Sequence, residues 1–116
     1  MPRIQLIRRF SFEAAHLLPY HKGDCRHVHG HSYRLEVQIN GPVQAEHIGP
    51  ESGMVMDLKR LKDLVHKSII APCDHALLLP DFLHELQLEA ARLLSTKILI
   101  LPFSPTAENL VRWMAW

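Results

Sequence analysis

From His29 to Ile39 the chain alternates in a way that only a half-buried strand explains. His29, His31, Tyr33, Leu35, Val37 and Ile39 take the odd positions, while Ser32, Arg34, Glu36, Gln38 and Asn40 take the even ones. Successive side chains of an extended strand leave opposite faces, so one face meets a core and the other meets solvent. Such a strand belongs in an antiparallel sheet backed by helices. The same parity puts His29 and His31 side by side on the inward face, at the loop end of the strand. Asn40-Gly41-Pro42 supplies the turn residues that end it.

A second strand precedes it. Ile4, Leu6, Phe10, Phe12 and Ala14 fall on even positions, with Arg8 the exception, and lead directly into His16. The intervening loop from Leu17 to Val28 holds Pro19, Gly23 and Cys25, so it carries a thiol close to the histidines. Gly30, between His29 and His31, predicts a close approach of backbone or substrate. Further on, Met54-Val55-Met56-Asp57 leads into a helix striped by Leu58, Leu61, Leu64, Val65 and Ile69 and ended by Pro72. Residues 82–94 predict a second short helix, and Lys97-Ile98-Leu99-Ile100-Leu101 a short buried strand or an extended edge. Ser104-Pro105-Thr106 opens a final helix, with Pro105 in its first turn, Ser104 or Thr106 as cap, and Trp113 and Trp116 on its exposed face.

His16, His29 and His31 have the makings of a metal site. Two same-face imidazoles and an upstream third give three nitrogen ligands and leave one tetrahedral position open, as in catalytic zinc. The competing account is a set of core histidines bonded to backbone carbonyls. Nine histidines in 116 residues is an excess that fits metal or proton chemistry, although His21, His47, His66 and His84 read as surface residues. The chain is long enough for one domain with a core, at 47% hydrophobic residues. A net charge of +1, from 13 basic and 12 acidic residues, gives no general attraction to nucleic acid or membrane. No apolar run approaches the roughly 20 residues a membrane span needs, and the start of the chain has no leader-like stretch. Two cysteines, Cys25 and Cys73, predict free thiols in a reduced, cytoplasmic setting, with Cys73 structural. A zinc hydrolase is disfavoured, because no carboxylate adjoins the ligand pair as in His-Glu-x-x-His.

Five motifs occur in order: Phe12-Glu13-Ala14-Ala15-His16, Cys25-x-x-x-His29-Gly30-His31, Gly53-Met54-Val55-Met56-Asp57, Asp74-His75 and Pro105-Thr106-Ala107-Glu108-Asn109. Together they resemble the 6-pyruvoyltetrahydropterin synthase and 6-carboxytetrahydropterin synthase family over nearly the whole chain. The resemblance implies an α+β tunnelling fold, with an antiparallel sheet and two helices packed on one face. It also implies homotrimers or homohexamers with active sites between subunits. It further implies zinc on His16, His29 and His31, and 7,8-dihydroneopterin triphosphate as the small-molecule substrate. Cys25 would be the base, with Asp74 and His75 as a relay tuning it, and Thr106, Ala107 and Glu108 would lie against the pterin.

The short spacing from Cys25 to the His-Gly-His element resembles the bacterial 6-carboxy enzymes of queuosine precursor synthesis. Those release acetaldehyde and triphosphate. The alternatives are the 6-pyruvoyl branch, and a non-catalytic zinc-binding relative that has lost pterin binding. Relatives continue past the Pro-Thr-x-Glu-Asn helix into two further strands, one with a glutamate that anchors the pterin. The 116 residues are therefore expected to form a single domain, 1–116, without that last hairpin, leaving an unpaired sheet edge. Lys22, Arg26 and His27 are cationic candidates for triphosphate contact.

Overall fold

The computed structural model describes residues 2–115, so Trp116 of the expected exposed helix face lies outside the described residues. Two long strands, β1 (Arg3–His16) and β2 (His29–Pro42), form an antiparallel hairpin that pairs every residue from Arg3↔Pro42 to His16↔His29. Phe12 lies opposite Tyr33 and Ala14 opposite His31, so the even face of β1 and the odd face of β2 are one surface. This is the register the two alternations require. A one-residue slip would turn the whole apolar set to solvent.

Helix α1 (Leu58–Val65) starts at Asp57, whose carboxylate accepts from the Lys59 N–H. It continues through a π-helical turn (His66–Ile70) into the single turn α2 (Ala71–Cys73). The wide turn falls where Pro72 lacks the N–H that a regular helix would offer to the Ser68 carbonyl. Pro72 thus sits inside the last turn, and the helical segment ends one residue later. Leu61, Val65 and Ile69 of the expected stripe are buried, whereas Leu58 and Leu64 remain exposed.

Strand β3 (Ala76–Pro80) was not expected from the sequence. It is buried at every residue and pairs parallel to the end of β1, Ala14↔Ala76 to His16↔Leu78. Strand β4 (Ile98–Leu101) pairs parallel to β3, giving the order β2-β1-β3-β4. The sheet is therefore mixed, antiparallel only at its hairpin. Strand β3 runs antiparallel to the preceding β2 and therefore parallel to β1, and a helical crossover then brings β4 in parallel to β3.

Helices α1 and α4 (Ala107–Met114) cover one face, meeting Phe10, Phe12, Ala14, Leu78 and Leu101. Helix α3 (Glu85–Leu94) is a third helix on the opposite face. There Ala91 closes over Leu17, Leu77 and Leu79. Leu86, Leu93 and Leu94, apolar residues of the expected helix over 82–94, stay largely exposed.

Because β1 meets β3 only from Ala14 to His16, with Glu13 bonded to Asp74 and His75, its inner edge has no strand partner from Arg3 to Phe12 among the described residues. The hairpin projects, and the molecule measures 59 × 26 × 21 Å. Its radius of gyration of 18.1 Å exceeds the roughly 13 Å of a compact domain this long. Core stability thus concentrates at the β3 end. Leu78 is fully buried between both β1 and β4. We expect Leu78→Ala to cost about 2–5 kcal/mol, visible as a clearly lower melting temperature by circular dichroism.

Candidate metal centre

The hairpin register sets His16 directly opposite His29 at the closed end, with His31 diagonal to His16 across the small Ala14. His16 is buried, His29 half-buried and His31 exposed, so the trio is open to solvent on the His31 side. The three imidazoles converge, with one ring nitrogen from each within 4.8 Å of the others. His16 Nε2 lies 3.0 Å from His29 Nε2 and 3.2 Å from His31 Nε2.

The opposite sides of two rings fix their chemistry. His16 Nδ1 donates to the Pro105 carbonyl at 2.7 Å, and His29 Nδ1 donates to the His27 carbonyl at 2.7 Å. A carbonyl only accepts, so each Nδ1 carries the proton and each neutral ring turns an Nε2 lone pair inward. Two lone pairs 3.0 Å apart repel unless a cation lies between them. Nitrogens on a tetrahedral zinc, each at about 2.0–2.1 Å, would stand roughly 3.3 Å apart, close to the spacing found here. The residues fit a zinc ion. Burial lowers the His16 pKa, against the Pro105 bond that raises it, and the His29 and His31 rings lower it further. His16 is therefore neutral and ligand-competent at pH 7.

Pro105 reaches His16 because it stands one residue before the cap of α4, outside the helix rather than in its first turn. Thr106 is the cap, its hydroxyl accepting from the Asn109 N–H. Ala107 and Glu108 are exposed on the first turn of α4. Sequence reasoning missed Pro105, since a backbone carbonyl leaves no side-chain signal. No other backbone approaches Gly30 closely among the described residues: a Cβ there would meet the Ala14 carbonyl at an ordinary 3.6 Å.

Asp74 and His75 form a second constellation. The Asp74 carboxylate accepts from the Glu13 N–H at 3.0 Å and meets His75 Nδ1 at 3.1 Å. The Glu13 bond, then the His75 contacts, hold its pKa below the usual carboxylate range. His75 adopts a left-handed backbone (φ 60°), an uncommon conformation for a non-glycine residue. It faces a cleft of about 540 Å³ walled by Ala15, Leu17, Leu77 and Ala91, with Arg26 and His27 also in the lining. These apolar residues belong to the α3 face. The histidine trio packs with Tyr33 on the other face. Within one chain, the His75 cleft and the converging imidazoles thus lie on opposite faces of the sheet, while His75 and His31 also both line a pocket with Glu13, Gly30 and Ser32.

Cys25 sits in a single 3₁₀ turn (Asp24–Arg26), half-buried, with its carbonyl accepting from the Leu18 N–H. Its thiol is outside the converging donor set and makes no hydrogen bond to Asp74 or His75 among the described residues. Lys22 and Arg26 share this loop, the Arg26 guanidinium donating to the Lys22 carbonyl. Cys73 is fully buried, and burial pushes its thiol up to about 11. Native protein should therefore take up one equivalent of iodoacetamide at pH 8, on Cys25, and two once denatured; peptide mass mapping reads the difference.

The family model described as 6-pyruvoyl tetrahydropterin synthase matches residues 5–116. A 6-carboxy-5,6,7,8-tetrahydropterin synthase of Haemophilus influenzae is 38% identical over 113 residues, covering 95% of this chain and 78% of that protein. The enzyme of the same name from Synechocystis is 43% identical over 70 residues, 60% of this chain and 54% of that one. Among solved structures, the Caenorhabditis elegans 6-pyruvoyl tetrahydropterin synthase superposes with a TM-score of 0.63 at 28% identity, over 98% of this chain and 75% of that chain. The α+β fold here is accordingly the tunnelling fold, and the chain belongs to the 6-pyruvoyl tetrahydropterin synthase family.

Proposed function

We propose that this protein is a zinc-dependent lyase that converts 7,8-dihydroneopterin triphosphate to 6-carboxy-5,6,7,8-tetrahydropterin, releasing acetaldehyde and triphosphate. The reaction would serve queuosine and other 7-deazapurine precursor synthesis in the cytoplasm. The observation that carries the reading is the pair of inward Nε2 lone pairs, each fixed by a carbonyl behind it. The names of the Haemophilus and Synechocystis relatives support the pterin product. No helix among the described residues is long and apolar enough to cross a membrane.

In this reading His16, His29 and His31 hold zinc, which when bound supplies a Lewis acid for hydroxyl oxygens of the substrate side chain. Cys25, on the loop that joins the ligand strands, takes a side-chain proton as base. Asp74 holds the His75 ring by its Nδ1, leaving Nε2 to pass a proton at the cleft. Thr106, Ala107 and Glu108 would contact the pterin from the first turn of α4. The separation of the His75 cleft from the metal face favours a homotrimer or homohexamer in which one subunit's trio meets another's Asp74–His75 pair. The unpaired edge of β1 is compatible with further strand pairing. We read residues 1–116 as parts of one domain.

The likeness to the Caenorhabditis enzyme supports a second reading, elimination of triphosphate to a 6-pyruvoyl product. Incubation of zinc-loaded protein with dihydroneopterin triphosphate, followed by mass spectrometry, separates the two. A 6-carboxy product with acetaldehyde is expected. A 6-pyruvoyl product would overturn the first reading in favour of the second, and no turnover by folded, zinc-loaded protein would count against both.

A further inference from the structure

The three histidines are not held alike. His16 and His29 each have a carbonyl behind the ring, whereas His31 Nδ1 meets no acceptor among the described residues, and His31 is the exposed member of the trio. A metal-ligating histidine normally has its second nitrogen tied, which fixes the ring's orientation and tautomer. What His31 has instead is an aromatic wall. The Tyr33 ring meets it edge-on at 5.6 Å and 79°, and meets His16 at 6.5 Å and 89°. Tyr33 is itself stacked on Phe12, its cross-strand partner, at 4.8 Å and 8°. On the near side, His31 stands opposite Ala14, whose methyl leaves room for the ring to lean toward His16 Nε2.

The Tyr33 hydroxyl takes no part in this. It is buried and has no hydrogen-bond partner among the described residues.

We infer that Tyr33 is a positioning residue for the metal centre: its ring, braced by Phe12, orients His31 in place of the hydrogen bond that the other two ligands have. This rests on the reading of the trio as a zinc site. Removing the ring should free His31 to rotate, while removing only the hydroxyl should leave the site intact.

The test compares wild type, Tyr33→Phe and Tyr33→Leu. Zinc affinity is read by competition with a chromogenic chelator, and ligand geometry by the visible absorption of the cobalt-substituted protein. Thermal unfolding of the metal-free proteins is followed in parallel. We expect Tyr33→Phe to keep wild-type affinity and cobalt bands. Tyr33→Leu should bind zinc about 10–100-fold more weakly, with altered cobalt bands. A purely structural role would lower the melting temperature of metal-free Tyr33→Leu and leave affinity and cobalt bands unchanged, which would overturn the inference. So would a Tyr33→Phe variant as weak as Tyr33→Leu. If Tyr33→Leu does not fold, Tyr33→Met, apolar and flexible without a ring, carries the same prediction. Failure of wild type to bind zinc would instead refute the metal site on which the inference rests.

Discussion

His16→Ala should empty the metal centre while leaving a folded chain. Purified wild type is expected to hold about one zinc per chain and the variant almost none after dialysis, measured by elemental analysis. His16 is the middle ligand, within reach of both other Nε2 atoms and anchored to Pro105. Its loss should weaken binding by well over the roughly 10–100-fold that an outer partner is worth. A cavity at this buried position will also lower the melting temperature, so the comparison is made well below it. Protons compete with metal for imidazole lone pairs, so zinc affinity must fall as pH falls. Burial holds the His16 pKa below the ordinary histidine value of 6.5, so this ligand gives way to protons at a lower pH than a free imidazole would.

Cys25→Ala should do the reverse, abolishing turnover while zinc stays. The thiol is not among the converging donors, so the metal does not need it. A general base contributes about 10²–10⁴-fold, and a loss of turnover in that range at constant zinc content would identify Cys25 as the base. Unchanged turnover would remove it from the mechanism. The half-buried turn that carries Cys25 makes the substitution mild for stability.

The β1–β2 hairpin and its histidines are legible in the sequence because one face is apolar and the other polar. The alternation alone assigns Phe12, Ala14 and His16 to one side of β1, and His29, His31 and Tyr33 to one side of β2. The start of α4 is legible for a similarly local reason, a capping hydroxyl at Ser104 or Thr106 just ahead of a helical stripe, and the structure gives the cap to Thr106. Ala76-Leu77-Leu78-Leu79-Pro80 is not, because a strand buried on both faces has no alternation to read. The mixed sheet follows from where helical segments carry the chain back, a matter of tertiary packing. The position of His75 at the α3 face, with Asp74 on the β1 edge at Glu13, follows in turn from β3 lying beside β1. The carbonyls of Pro105 and His27, which decide which nitrogen of each ligand faces inward, carry no side-chain signature at all.

Zinc K-edge X-ray absorption of the purified protein reads the metal's donor atoms and their distances. Three imidazole nitrogens at about 2.0–2.1 Å and a light oxygen scatterer in the remaining position are expected. A sulfur shell near 2.3 Å, or zinc absent from folded protein grown with it, would contradict the assignment of His16, His29 and His31 as the metal centre.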